Sequence, residues 1–134
     1  LAAQEAKKRS IKVFLNAAPA KNIENLIKFV DILLVNEIEA QQISNDYSNS
    51  FDSIAKKLSK KISKVIITLG SKGVIACEKN ATPIHIQGHH VDVKSAHGAG
   101  DYFAAKFILE FLKNNTFENA ISVANKKTAE FISA

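Results

Sequence analysis

The chain has 134 residues, 46% of them hydrophobic and 23% charged, with a formal net charge of +5. That length fits one domain or part of one, and the composition fits a soluble globular fold rather than a disordered chain. No uncharged apolar run approaches the ~20 residues of a membrane helix, so a membrane partner is not expected. Every basic residue except Arg9 is a lysine, whereas base readout and phosphate clamping favour arginine's planar fork. The densest group, Lys56, Lys57, Lys60, Lys61 and Lys64, lies opposite an apolar stripe of Phe51, Ile54, Ala55, Leu58 and Ile62. This is the pattern of a solvated helix face, and a nucleic-acid partner is not expected. Cys77 is the one cysteine, so no internal disulfide can form and a reducing, cytoplasmic setting is expected. In Leu1–Arg9 the charges follow the apolar residues, the reverse of a secretory leader. The absence of methionine and the start at Leu1 make a fragment of a longer protein the expectation.

In chain order, Leu1–Arg9 has the basic C-terminal turn of a helix. Residues 11–16 (IKVFLN) form a nearly continuous apolar run, as a strand covered on both faces requires. A loop at 17–21 and a short helix at about 23–29 lead to a second buried strand, DILLV at 31–35. Helices are predicted at 36–44 and 51–62, and a third buried strand at 64–69 (KVIITL), rich in β-branched residues. Gly70–Gly73 is a turn, and 74–78 with 83–87 make a hairpin around Lys79-Asn80. Helices at 98–113 and 117–133 complete the chain. Buried strands alternating with helices predict an α/β fold with a parallel or mixed sheet flanked by helices and one hairpin.

Three segments could carry chemistry. Gly98-Ala99-Gly100-Asp101 opens the 98–113 helix. A glycine-rich helix start lets a ligand approach the backbone and aims free N–H groups at an anion such as phosphate. Asp101 beside it could accept the proton of an attacking hydroxyl, or could simply match the helix dipole. Asn36-Glu37-Ile38-Glu39 follows the second strand; it is a capping box by pattern, and its position at a strand's carboxyl end also suits Mg²⁺-bound water near a phosphate. Thr68-Leu69-Gly70-Ser71-Lys72-Gly73 ends the third strand, either as an ordinary turn or as the lining of a nucleotide pocket. No G-x-x-x-x-G-K-[ST] occurs, and Phe103 stands where a dinucleotide fingerprint needs its third glycine. His85, His89 and His90 lack a metal-ligand pattern, and Cys77 is expected to be a small core residue.

In order and spacing these segments resemble the ribokinase-like (PfkB) carbohydrate kinase family over nearly the whole chain. VFLNAAPA (13–20) is similar to that family's strand and Asn-Pro-Ala-Pro loop, with Ala17 in place of the first proline. The likeness of LLVNEIEA (33–40) implies that Asn36 and Glu39 belong to a Mg²⁺ and phosphate network, and that of VIITLGSKGV (65–74) implicates Thr68, Gly70, Ser71 and Gly73 in binding ATP. HGAGDYFAAKF (97–107) resembles the family segment in which Gly98, Ala99 and Gly100 would form an anion hole and Asp101 the catalytic base. SVANKKTAEF (122–131) is similar to a helix whose asparagine, here Asn125, lies near the adenine.

The resemblance implies a ribokinase-like three-layer sandwich with a mostly parallel sheet, and residues 1–134 as its C-terminal, nucleotide-binding portion. The sugar-binding half and lid would lie outside this chain. Mg²⁺, ATP as co-substrate and a small sugar are the implied ligands. An alternative is a nucleotide-binding remnant without kinase activity. Ser95-Ala96-His97 stands where the family has Asp-Thr-Thr, which argues against activation by a monovalent cation. A sheet lacking neighbouring strands would expose an unpaired edge, so self-association or pairing through that edge is expected.

Overall fold

The computed structural model describes residues 2–16 and 23–134. Its elements are α1 (Ala2–Lys8), β1 (Phe14–Asn16), α2 (Glu24–Ile27), β2 (Ile32–Asn36), α3 (Glu37–Ser44), α4 (Phe51–Ser59), β3 (Lys64–Thr68), β4 (Gly73–Glu78), β5 (Ile84–Gln87), α5 (Ala99–Leu112) and α6 (Phe117–Ser133). One five-stranded sheet has the order β1-β2-β3-β4-β5. β1, β2 and β3 run parallel, with Phe14 opposite Ile32 and Ile32 opposite Lys64. The β3–β4 and β4–β5 connections are too short for a parallel crossover, so these neighbours are antiparallel. The sheet is therefore mixed, with a parallel β1-β2-β3 portion and a hairpin, as the pattern allowed.

The chain divides into two compact units, Leu1–Thr68 with Ile75–Ile84, and Leu69–Val74 with His85–Ala134. In the first, Ile32–Val35 and Val65–Ile67 are buried at every position, the signature of strands covered on both faces. α4 lays Phe51, Ile54, Ala55 and Leu58 into this core and leaves its lysines outside. Lys57 does more than solvate that face: its Nζ donates to the Ser44 carbonyl at the end of α3 (2.6 Å). Lys64 pairs with Glu78 across β3 and β4 at 3.4 Å. Cys77 is a core residue as expected, with Sγ 3.3 Å from Ser59 Oγ.

Two boundaries differ from the sequence pattern. β1 is confined to 14–16, because Val13 spends its backbone on Asp31: its N–H donates to the Asp31 carboxylate (2.8 Å), and its carbonyl accepts the Asp31 and Ile32 amides. Ile11, expected in a buried strand, is 54% exposed. α4 ends at Ser59, although Ile62 is still fully buried just beyond it. The expected loop at 17–21 lies outside the described residues.

In the second unit α5 packs along α6. Phe107 stacks on Phe111 and meets Phe117 edge-on, while Tyr102 stacks on Phe131 at 4.3 Å. Thr116 caps α6 by accepting the Asn119 amide (3.1 Å).

Candidate active site

The first turn of α5 leaves backbone amides unsatisfied among the described residues. Gly98, its N-cap, has φ 79° and ψ 6°, a left-handed conformation that glycine adopts freely. Among the described residues no side chain caps this end. The Ala99 amide donates to the Ala96 carbonyl (3.1 Å), and the first intrahelical bond runs from Tyr102 to Gly98. Among the described residues this leaves the amides of Gly98, Gly100 and Asp101 without an acceptor, where three amides from 98–100 were expected. Gly98, Gly100 and Asp101 are all exposed, and a Cβ built on Gly100 would meet nothing within 4 Å. The fold therefore does not itself require glycine at 100. The Asp101 carboxylate makes no ion pair or hydrogen bond among the described residues, so its only electrostatic partner there is the helix dipole. Just upstream, the His97 amide donates to Ser95 Oγ (3.3 Å), a local turn in the segment that departs from the family pattern.

Gly70–Lys72 form one turn of 3₁₀ helix, closed by the Leu69 amide donating to the Gly73 carbonyl (2.8 Å). Gly70 and Ser71 are exposed. Gly73 is buried with φ 101°, and a Cβ there would overlap the Ile86 carbonyl oxygen. Its glycine thus has a full explanation in backbone packing, independent of any ligand. Asn125 on α6 donates from Nδ2 to the Gln87 carbonyl (2.8 Å).

Asn36 and Thr68 come from separate motifs but are register partners at the carboxyl ends of the parallel strands β2 and β3. Asn36 Oδ1 accepts the Glu39 amide (2.8 Å), and Glu39 Oε1 accepts the Asn36 amide (2.9 Å), so the capping box is real. Glu39 is only 8% exposed, and no second hydrogen bond falls to its carboxylate among the described residues. Thr68 Oγ1 donates to the Val35 carbonyl (3.4 Å). The sequence pattern did not single out Gly88, whose backbone lies against Ser71, and it weighed His85 only as a metal ligand, whereas its Nε2 lies 3.1 Å from the Lys72 carbonyl. A glycine closing a predicted hairpin strand was the one available signal.

The pfkB family of carbohydrate kinases matches residues 1–133. The chain belongs to that family. It is 38% identical over 126 residues to a ribokinase of Haemophilus influenzae, covering 90% of this chain and 41% of that protein. The chain thus spans less than half the length of this curated relative. It is similar to the ribokinase of Arabidopsis thaliana, solved in complex with ribose and ATP, with TM-score 0.89 and 25% identity over 98% of this chain and 45% of that one. An adenosine kinase from Schistosoma mansoni shares the fold at TM-score 0.86 and 18% identity, over 98% of this chain and 45% of that one. The α/β fold is ribokinase-like, as the motif order implied.

Proposed function

We propose that residues 1–134 are the C-terminal, nucleotide-binding portion of an ATP-dependent sugar kinase. The observation that carries this is the start of α5: three amides without acceptors among the described residues and an exposed carboxylate on one turn. In the proposed reaction a sugar hydroxyl oxygen attacks the γ-phosphorus in line as the bond to the ADP oxygen breaks. Asp101 accepts the hydroxyl proton, and the amides of Gly98, Gly100 and Asp101 with the dipole of α5 offset the charge growing on the phosphoryl oxygens. Thr68, Gly70 and Ser71 are assigned to the nucleotide, with Gly73 shaping the turn that presents them.

Asn36 and Glu39 offer hard oxygen donors, and Glu39 keeps one carboxyl oxygen clear of the capping box among the described residues. Among the described residues no group of three or more His, Cys, Asp or Glu side chains is placed to hold an ion directly. That donor set suits an ion that retains its waters, as Mg²⁺ does. Mg²⁺ held there through water would supply charge neutralisation at the phosphates. A cytoplasmic setting is proposed with this activity, as is self-association through β1, which pairs only with β2 among the described strands.

The test is ADP release by the complete protein given Mg-ATP with ribose or with adenosine. Ribose-dependent release is expected; release with adenosine alone would move the substrate to nucleosides. Mg-ATP binding without release in either case would make the protein a non-catalytic nucleotide binder, the reading that Ser95-Ala96-His97 favours.

A further inference from the structure

The segment His85–Gly88 holds the Gly70–Gly73 turn by contacts that none of the motifs announced. Gly70, Ser71 and Lys72 are exposed, so burial of their side chains does little to fix them. The backbone does it instead. At Gly73 a Cβ would overlap the Ile86 carbonyl oxygen and crowd Gly88, and at Gly88 a Cβ would overlap the Ser71 carbonyl oxygen and lie 3.0 Å from the Gly73 nitrogen. Each glycine therefore permits the two backbones to touch, and neither contact tolerates a side chain. His85 Nε2 adds a third tie to Lys72 O at 3.1 Å. The strand segment is itself anchored from α6, where Asn125 Nδ2 donates to Gln87 O at 2.8 Å, one residue before Gly88.

We infer that Asn125 and Gly88 are positioning residues: Asn125 fixes Gln87–Gly88, and Gly88 sets the height of the Ser71 backbone in the proposed nucleotide turn. This rests on the nucleotide reading for its consequence, though not for its geometry. It gives Asn125 a task besides any contact with the base, since one of its two amide N–H groups donates to Gln87. Loss of the brace should loosen a turn whose own hydrogen bonds are Leu69 to Gly73, Lys72 to Leu69 and Gly73 to Gly70.

The experiment compares the complete parent protein with its Asn125→Ala, Asn125→Asp and Gly88→Ala variants by amide hydrogen exchange and by calorimetric titration with Mg-ATP. The asparagine variants are included because the Gly88 clash could prevent folding. Expected is a rise of about tenfold or more in exchange at Leu69 and Lys72, with the central amides of α5 unchanged, and Mg-ATP binding weakened about tenfold in both Asn125 variants. A merely structural role for Asn125 would raise exchange throughout α6 and leave the turn no worse than the rest. Exchange at Leu69 and Lys72 within twofold of the parent overturns the brace, whatever the nucleotide result. Failure of the parent itself to bind Mg-ATP refutes the nucleotide reading instead, and the exchange comparison still decides the brace.

Discussion

Replacing Gly100 with alanine should stabilise the chain and weaken its nucleotide binding at once. Gly100 sits in the first turn of α5, is exposed, has an ordinary helical φ, and has nothing within 4 Å of where a Cβ would stand. Alanine there should gain about 0.5–1 kcal/mol, because glycine loses more freedom on folding. For a chain of this size that is a rise of roughly 2–5 °C in Tm. Cβ atoms on a helix lean towards its N-terminus, so the new methyl would project into the space before α5 that the anion is proposed to fill. Forcing a methyl into a close-packed contact costs about 1–3 kcal/mol, which is a loss of roughly 5- to 150-fold in affinity. Thermal unfolding and calorimetric titration with Mg-ATP on the same protein read the two effects separately. Gly98→Ala serves as the contrast: its φ of 79° should make alanine cost about 1–2 kcal/mol, so stability falls as well. A raised Tm in Gly100→Ala with an unchanged Kd would show that no ligand approaches that backbone.

The capping and metal readings of Glu39 separate in Glu39→Gln, since glutamine can still accept the Asn36 amide but carries no charge. Stability should hold within about 0.5 kcal/mol, while the Mg²⁺ concentration needed for half-maximal ATP binding rises several-fold; Asn36→Ala should instead lower stability by about 1 kcal/mol. Burial pushes the Asp31 carboxyl up, but the Val13 amide, the Lys7 ammonium at 3.0 Å and nearby Lys12 outweigh it and hold the carboxyl below its ordinary 3.8. A depressed folded value means that its stabilisation is present above pH 3.8 and is lost as pH falls through the folded value. Asp31→Asn should therefore cost about 1–2 kcal/mol near pH 6, with the gap to the parent closing below pH 3.8 in urea unfolding.

What the sequence made legible follows from how strongly each residue is constrained. DILLV and KVIITL could hardly be anything but strands buried on both faces, and Ile32–Val35 and Val65–Ile67 are so. α6 runs over 117–133, the range expected, and the structure adds the Thr116 cap at its start. The strand at 11–16 was over-extended because apolar character alone cannot reveal that the Asp31 carboxylate takes the Val13 amide. At the site, glycine and aspartate at a helix start marked α5, but pattern cannot say which amides remain free. That depends on the local turn that occupies Ala99. Likewise Gly73 suggested a ligand, whereas its nearest constraint is the backbone of Ile86, and Gly88 went unmarked because close approach of two backbones leaves no periodic trace.

The proposed role of Asp101 is tested most directly by measuring both Mg-ATP affinity and turnover for Asp101→Asn in the complete protein. Asparagine keeps the shape and the free amides of the α5 first turn but cannot take a hydroxyl proton at neutral pH. The account predicts a fall in kcat on the order of 10²–10⁴ with Kd for Mg-ATP within about threefold of the parent. Turnover close to the parent's would contradict Asp101 as the base, and loss of binding in step with turnover would make it a structural residue of the helix start.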